Sequence, residues 1–212
     1  MQAAPETNRA ASVASKSSHP AWLRLTHWLN ALAVLVMVTS GWRIYNASPL
    51  YGFNFPKSIT LGGWLGGALQ WHFAAMWMLV VVSLFYVLFN LFSGRLSRLF
   101  FPVSPKGFVH DLWSALRGRL GHDDIGHYNN VQRVAYLFVM LDITVLVISG
   151  LVLWKSVQFP LLRELLGGYD SARHVHFIAM SLLVAFIAVH LVMVALVPKT
   201  LLAMIVGHKV RV

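Results

Sequence analysis

Four apolar runs, each long enough to cross a lipid bilayer, constrain this 212-residue sequence more than any other feature. Backbone N–H and C=O groups find no water in hydrocarbon, so a spanning segment must satisfy them within itself, as an α-helix does. About 20 apolar residues suffice for the core of a bilayer, and residues 22–45, 71–93, 132–154 and 175–197 meet that length. Hydrophobic residues make up 58% of the chain and charged residues 11%, the latter well below the ~25% of soluble domains. The expectation is an all-α membrane protein, a four-transmembrane-helix bundle over residues 21–198. Residues 1–20 are rich in Ala and Ser and lack an apolar core, so they read as a disordered tail rather than a cleavable signal. Residues 199–212 form a second tail.

The formal net charge of +10 raises nucleic acid as a partner, but the basic residues flank apolar runs, which is the pattern of membrane loops. No nucleic-acid partner is expected. The N-terminal tail, the 94–131 loop with Arg133 at its edge, and the C-terminal tail carry twelve Lys and Arg. Arg43, Lys57, Lys155, Arg163 and Arg173 are the five on the other side. This bias places both termini and the 94–131 loop in the cytoplasm, with the first and third helices running outward. Within that loop, residues 105–121 read as an amphipathic helix on the headgroups, with Phe108, Leu112, Trp113 and Leu116 on one face. The sequence has no cysteine, which excludes disulfides, cysteine-ligated iron–sulfur clusters and covalently attached c-type haem. Any metal must be held mainly by histidine.

Ten histidines are present, and five lie in or at the edges of the apolar runs: His27, His72, His174, His176 and His190. Ionisable residues at such depth are rare and usually functional. His176 and His190 are 14 residues apart, so they lie about 40° apart on one helix face and about 21 Å apart along the axis. His174 points elsewhere. With alternating helix directions, His72 and His176 share the outer level, and His27 and His190 the inner level. Two neutral imidazoles facing each other across a gap suit six-coordinate haem b, and a bundle core is the usual place for such a cofactor. Two histidines without a neighbouring carboxylate fall short of a closed zinc shell. The expectation is two b-type haems, ligated by His72/His176 and by His27/His190.

Gly41 and Gly150, in TSGW and ISGL, would let a porphyrin approach the backbone. Arg24 and Arg173 each precede a ligand candidate by three residues and could pair with a haem propionate. His174 is left at the outer interface, as a propionate contact or the edge of a docking surface.

These residues resemble the di-haem cytochrome b subunits of Ni-Fe hydrogenases and formate dehydrogenases, and the wider bacterial cytochrome b561 group. The likeness covers about residues 20 to 210. It rests on the early THW with its later SG, the HYNNVQR start of the third helix, the R-x-x-H…H pattern and the closing VPKTLLAMIVGHK. It implies ligation of the outer haem by His72 and His176 and of the inner by His27 and His190. It implies electron passage between a quinone near the inner haem and a periplasmic redox subunit, with location in the bacterial inner membrane. The family's quinone segment, Tyr-Asn-x-Gly-Gln, is here Tyr128-Asn129-Asn130-Val131-Gln132. Asn129 then matches the residue that would bond a quinone carbonyl, and Val131 departs from the usual glycine. Asn129 and Asn130 read equally as a helix N-cap. The thiosulfate reductase cytochrome b-like branch is the most similar, which implies a molybdopterin oxidoreductase as partner. The chain would be an electron-transfer subunit, with quinone oxidoreductase activity of its own left open, as are the direction of flow and homo-oligomer formation. One alternative is a stand-alone superoxide:quinone oxidoreductase, since the five outer basic residues outnumber Glu164 and Asp170. Another, of a different class, is a haem-free His-lined metal transporter, which predicts no haem absorption. His127, Asp123 and Asp124 form a polar stretch beside the quinone segment, read as a solvated loop before a proton relay.

Overall fold

The computed structural model describes residues 20–93, 104–117 and 129–207. The tail before Pro20, the stretch holding Asp123, Asp124, His127 and Tyr128, and the last five residues lie outside the described residues. Among the described residues seven α-helices follow in order: α1 (Ala21–Tyr45), α2 (Leu65–Phe92), α3 (Pro105–Leu116), α4 (Asn130–Lys155), α5 (Pro160–Leu165), α6 (Tyr169–Leu196) and α7 (Pro198–Val206). Of these, α1, α2, α4 and α6 are long and apolar enough to span a membrane. At 1.5 Å per residue, the 28-residue α2 and α6 are each about 42 Å long. They overrun the hydrocarbon, which is why both start six residues before their apolar runs do. Leu65–Gln70 and Tyr169–His174 are too polar or too glycine-rich to register as apolar, yet nothing in them stops a helix.

The chain forms two antiparallel hairpins, α1 with α2 and α4 with α6. Close backbone approach is concentrated within each hairpin, and the described residues make few such approaches between hairpins. Small residues line the seams. Ala33, Ala68, Ala172, Ser40 and Ser149 are fully buried, and Ala75 and Ala179 nearly so. Lipid tails are as apolar as leucine, so helices associate in a bilayer by close packing, and small side chains permit it. The bulky apolar residues face outward instead: Leu35, Val81, Leu141 and Val189 are exposed, as suits a surface that meets lipid.

The hairpin loops define one end of the bundle, here the loop end. Residues 46–64 fold over it. The Asn46 side chain bonds both the N–H and the C=O of Phe55, at 2.9 and 2.8 Å. Trp42 stacks on Phe55, and Tyr45, Tyr51 and Phe53 pack against Phe177 of α6. The opposite, tail end carries α3 and α7. Helix α7 is tied to α1: Arg24 donates to the Ile205 carbonyl at 2.7 Å and the Trp28 indole to Met204 at 3.3 Å. Gly207 ends α7 at φ 79°, and a Cβ there would come within 2.8 Å of the Arg24 guanidinium, so only glycine suits both the turn and the contact.

Candidate functional site: two histidine pairs between the hairpins

The hydroxyls of Ser40 and Ser149 fix the chemistry of the histidines beside them. A hydroxyl buried in hydrocarbon must spend its proton on an acceptor. Ser40 donates to the Val36 carbonyl at 2.6 Å and Ser149 to Val145 at 2.7 Å. Each oxygen is then left with lone pairs only, and each faces an imidazole Nδ1: His72 at 3.1 Å from Ser40, His176 at 2.9 Å from Ser149. Nδ1 must therefore carry the proton. The Met37 carbonyl, 3.1 Å from His72 Nδ1, accepts from the same N–H. With Nδ1 protonated, the neutral ring holds its lone pair on Nε2, the form that binds a metal.

His72 belongs to α2 and His176 to α6, so this pair spans the two hairpins at the loop end. Gly41 and Gly150 make the placement possible, since an added Cβ would lie 3.5 Å from His72 Cε1 and 3.4 Å from His176 Cε1. The atoms these glycines admit are the imidazole edges, one step before any porphyrin.

The second pair lies toward the tail end. His27 of α1 and His190 of α6 also face each other across the hairpins, with ring centroids 6.2 Å apart and planes at 59°. Trp28 packs edge-on to His27, and Phe186 is stacked at 6.3 Å from His190. Two imidazoles on opposite sides of one metal, at about 2 Å per metal–nitrogen bond and roughly 1 Å from nitrogen to centroid, would have centroids about 6 Å apart. The observed separation fits that arrangement. Among the described residues no three His, Cys, Asp or Glu converge as a metal shell, and a facing pair of imidazoles at each level is a donor set that would fit a bis-histidine haem.

The remaining expected site residues are engaged in structure. Arg173 donates to the Ser48 carbonyl at 2.6 Å and lies 4.0 Å from Asp170. The His174 ring is exposed, 3.2 Å from the Tyr51 hydroxyl, and points away from His176. Arg24 is spent on α7, with its Nε buried and without a partner among the described residues. Asn129 caps α4: it accepts from Gln132 N–H at 2.8 Å while the Gln132 side chain accepts from Asn129 N–H at 3.1 Å. This reciprocal capping box satisfies two N–H groups that a helix start leaves open. Next to it, Asn130 receives α3. Asp111 Oδ2 accepts from the Asn130 backbone and side-chain N–H groups at 2.9 and 3.1 Å, and Asn130 Oδ1 accepts from Ser104 N–H. Burial alone would raise the Asp111 carboxyl, but the Asn130 bonds and the neighbouring His110 outweigh it, so the group sits below its ordinary value.

Sequence reading passed over three contributors. Ser40 and Ser149 stand beside the two glycines in TSGW and ISGL, and a hydroxyl one residue from a glycine facing a histidine was the available signal. Asp142 is the one acid inside a predicted span. It is 6% exposed on α4, with Oδ2 unbonded among the described residues.

Comparison with known proteins follows the geometry. The family model of prokaryotic cytochrome b561 matches residues 18–207. A protein of Azospira oryzae assigned as the protein-methionine-sulfoxide reductase subunit YedZ1 is 67% identical over 190 residues, covering 90% of this chain and 96% of its own. Proteins assigned as Ni/Fe-hydrogenase B-type cytochrome subunits are more distant. That of Bradyrhizobium diazoefficiens is 25% identical over 80% of this chain and 73% of its own. That of Azotobacter vinelandii is 26% identical over 79% and 75%. Four spanning helices, histidines facing across two hairpins and a family match over nearly the whole length converge: the chain belongs to the prokaryotic cytochrome b561 family, as a multi-pass membrane b-type cytochrome that transfers electrons.

Proposed function

We propose that this chain holds two b-type haems, one between His72 and His176 and one between His27 and His190, and carries electrons across the bacterial inner membrane. The path joins the quinone pool to a periplasmic molybdopterin oxidoreductase. The observation that carries the reading is the pair of histidine levels bridging the same two hairpins, about 21 Å apart along α6. The haem supplies a one-electron iron couple, and the protein tunes it through its ligands and their surroundings. Ser40, Ser149 and the Met37 carbonyl hold the Nδ1 protons of the loop-end ligands, which fixes tautomer and ring orientation and makes Nε2 more basic. Sparse contact between the hairpins supports a flat group inserted between them, and the buried seams keep water from it.

The name of the Azospira relative supports a partner that reduces protein methionine sulfoxide, with electrons flowing outward from quinol. The basic residues Arg43, Lys57, Lys155 and Arg163 near the loop end support placing that end outside and the termini in the cytoplasm. Haem extraction from purified protein tests the reading: two haems per chain are expected, both reduced by a soluble quinol and reoxidised by the partner enzyme. One haem or none would overturn the paired-ligand assignment.

A further inference from the structure

Asp142 is a carboxyl without an assigned job. It lies seven residues from Ser149 toward the tail end of α4, about 10 Å along the axis. That puts it at a depth between the two histidine levels. It lines a cavity of about 280 Å³ between α4 and α6, whose other walls are the apolar side chains of Phe138, Leu141, Val145, Val175, Ile178 and Leu182, with Ala179. Leu141, Ile178 and Leu182 are 65%, 53% and 45% exposed, so the cavity is a groove open to the bilayer. Asp142 itself is more than nine-tenths buried and its Oδ2 has no partner among the described residues. An unbonded carboxyl oxygen in hydrocarbon costs several kcal/mol. Seven residues before Ser149 lies Asp142, whereas seven before Ser40 in the first hairpin lies Ala33, fully buried.

A groove of this shape selects its occupant by three properties. The molecule must arrive from the bilayer, since the opening faces lipid. Its head must fit a volume that takes one substituted ring and not a helix. It must offer one hydrogen-bonding group to a carboxyl and be apolar elsewhere. A quinone or quinol has all three: a quinol hydroxyl donates to the ionised carboxylate, and the protonated carboxyl donates to a quinone carbonyl. We propose that the α4–α6 groove is a quinone-binding site with Asp142 as its polar anchor. This rests on the reading that the chain exchanges electrons with the quinone pool, and it assigns that exchange a place beside the bundle at mid-depth, away from the capping box of Asn129 and Gln132.

The test uses the haem-loaded chain in lipid nanodiscs and an azido-substituted decylubiquinone as photolabel. Label is expected on peptides covering residues 138–145 and 175–182, competed away by decylubiquinone. Asp142→Leu and the groove-filling Ile178→Trp should each lower labelling and raise the KM for decylubiquinol about tenfold, the equivalent of one lost hydrogen bond to a charged group. Asp142→Asn, which keeps a donor and an acceptor, should fall between. Haem content and spectrum should stay those of the parent, which reports that the variants fold. Label confined to other peptides, or a phospholipid retained in the groove and not displaced by decylubiquinone, would overturn the site while quinol still reduced the haem. Failure of any quinol to reduce the parent's haem would instead overturn the functional reading beneath it.

Discussion

The two hairpins are built on one register and used differently. Adding 104 to a residue number carries α2 onto α6, from helix start to helix end (Leu65 to Tyr169, Phe92 to Leu196), and carries His72 to His176, Ala68 to Ala172, Ala75 to Ala179 and Leu79 to Leu183. Adding 109 carries α1 onto α4, with Ser40 on Ser149, Gly41 on Gly150, Val36 on Val145 and Ala33 on Asp142. At the loop end the hairpins match: each first helix offers a Ser-Gly pair that seats and polarises the histidine of its second helix. At the tail end they diverge. Fourteen residues from Gly41 toward the tail end is His27, but fourteen from Gly150 is Tyr136; fourteen beyond His176 is His190, but fourteen beyond His72 is Tyr86. One diagonal of the frame keeps histidines and the other tyrosines. A symmetric scaffold thus holds one symmetric histidine pair and one that is not.

Haem stoichiometry tests this division with the largest expected effect. His72→Ala and His176→Ala should each lower two haems per chain to one, and to the same extent. His27→Ala and His190→Ala should remove the other haem. Tyr86→Phe and Tyr136→Phe, at the counterpart positions, should keep both, as should His174→Ala, whose ring points to Tyr51. Haem loss from either tyrosine variant would show that the tail-end level is shared by all four helices and the diagonal division is wrong.

The next contrast lies at the register position that is Ala33 in the first hairpin and Asp142 in the second. Ala33 is sealed in its seam, so Ala33→Asp inserts a carboxyl with no room and no partner. A mid-span acid costs about 3 kcal/mol, and the thermal unfolding temperature should fall by several degrees. Asp142→Ala removes an unbonded oxygen and should leave that temperature unchanged or raise it. If Asp142→Ala destabilised as much as Ala33→Asp, the carboxyl would be structural.

Much of this frame is written in the sequence, and the omissions have physical causes. Hydropathy finds α1 and α4 within two residues, because those helices end where their apolar runs end. It misses the first six residues of α2 and α6, because a helix continues past the hydrocarbon on backbone bonds alone. Spacing brings His176 and His190 to one face, but says nothing of tautomer, which depends on where the Ser40 and Ser149 protons go. Asp142 is hidden by its company: six of seven acids lie outside the spans, and composition treats all seven alike. The NNVQ stretch is ambiguous because one pair of residue types serves a quinone carbonyl and a helix start equally well. Its geometry places the Asn129 and Gln132 side chains on each other's backbone.

A smaller effect separates Ser40 from Ser149. If the hairpins are equivalent at the loop end, Ser40→Ala and Ser149→Ala should each weaken retention of the loop-end haem by roughly 10- to 100-fold, the usual cost of removing a ligand's hydrogen-bond partner. His72 also faces the Met37 carbonyl at 3.1 Å, so its ring keeps one acceptor when Ser40 is removed. Titration with apo-haem acceptor protein reads the retention. A difference above tenfold between the two variants would break the equivalence.

The smallest effect concerns how the two first helices are braced at the tail end. Helix α1 begins after Pro20 with no side-chain cap among the described residues and is held by α7 through Arg24 and Trp28, whose bonds to backbone carbonyls involve no carboxyl group. Helix α4 has its capping box and is held by α3 through Asp111 on Asn130. Because the folded pKa of Asp111 is depressed, its contribution is fully present above the unfolded carboxylate value and is lost as pH falls through the lower folded value. The α3 bracing should therefore weaken below about pH 4, by about 1 kcal/mol for each bond. Hydrogen-exchange protection of residues 105–116, corrected for intrinsic rates, should fall over that window while that of residues 198–206 stays level. Asp111→Asn should flatten the first profile and leave the second unchanged. Parallel loss at both helices would mean that acid opens the tail end as one unit, and the two hairpins would then share a bracing that their side chains do not.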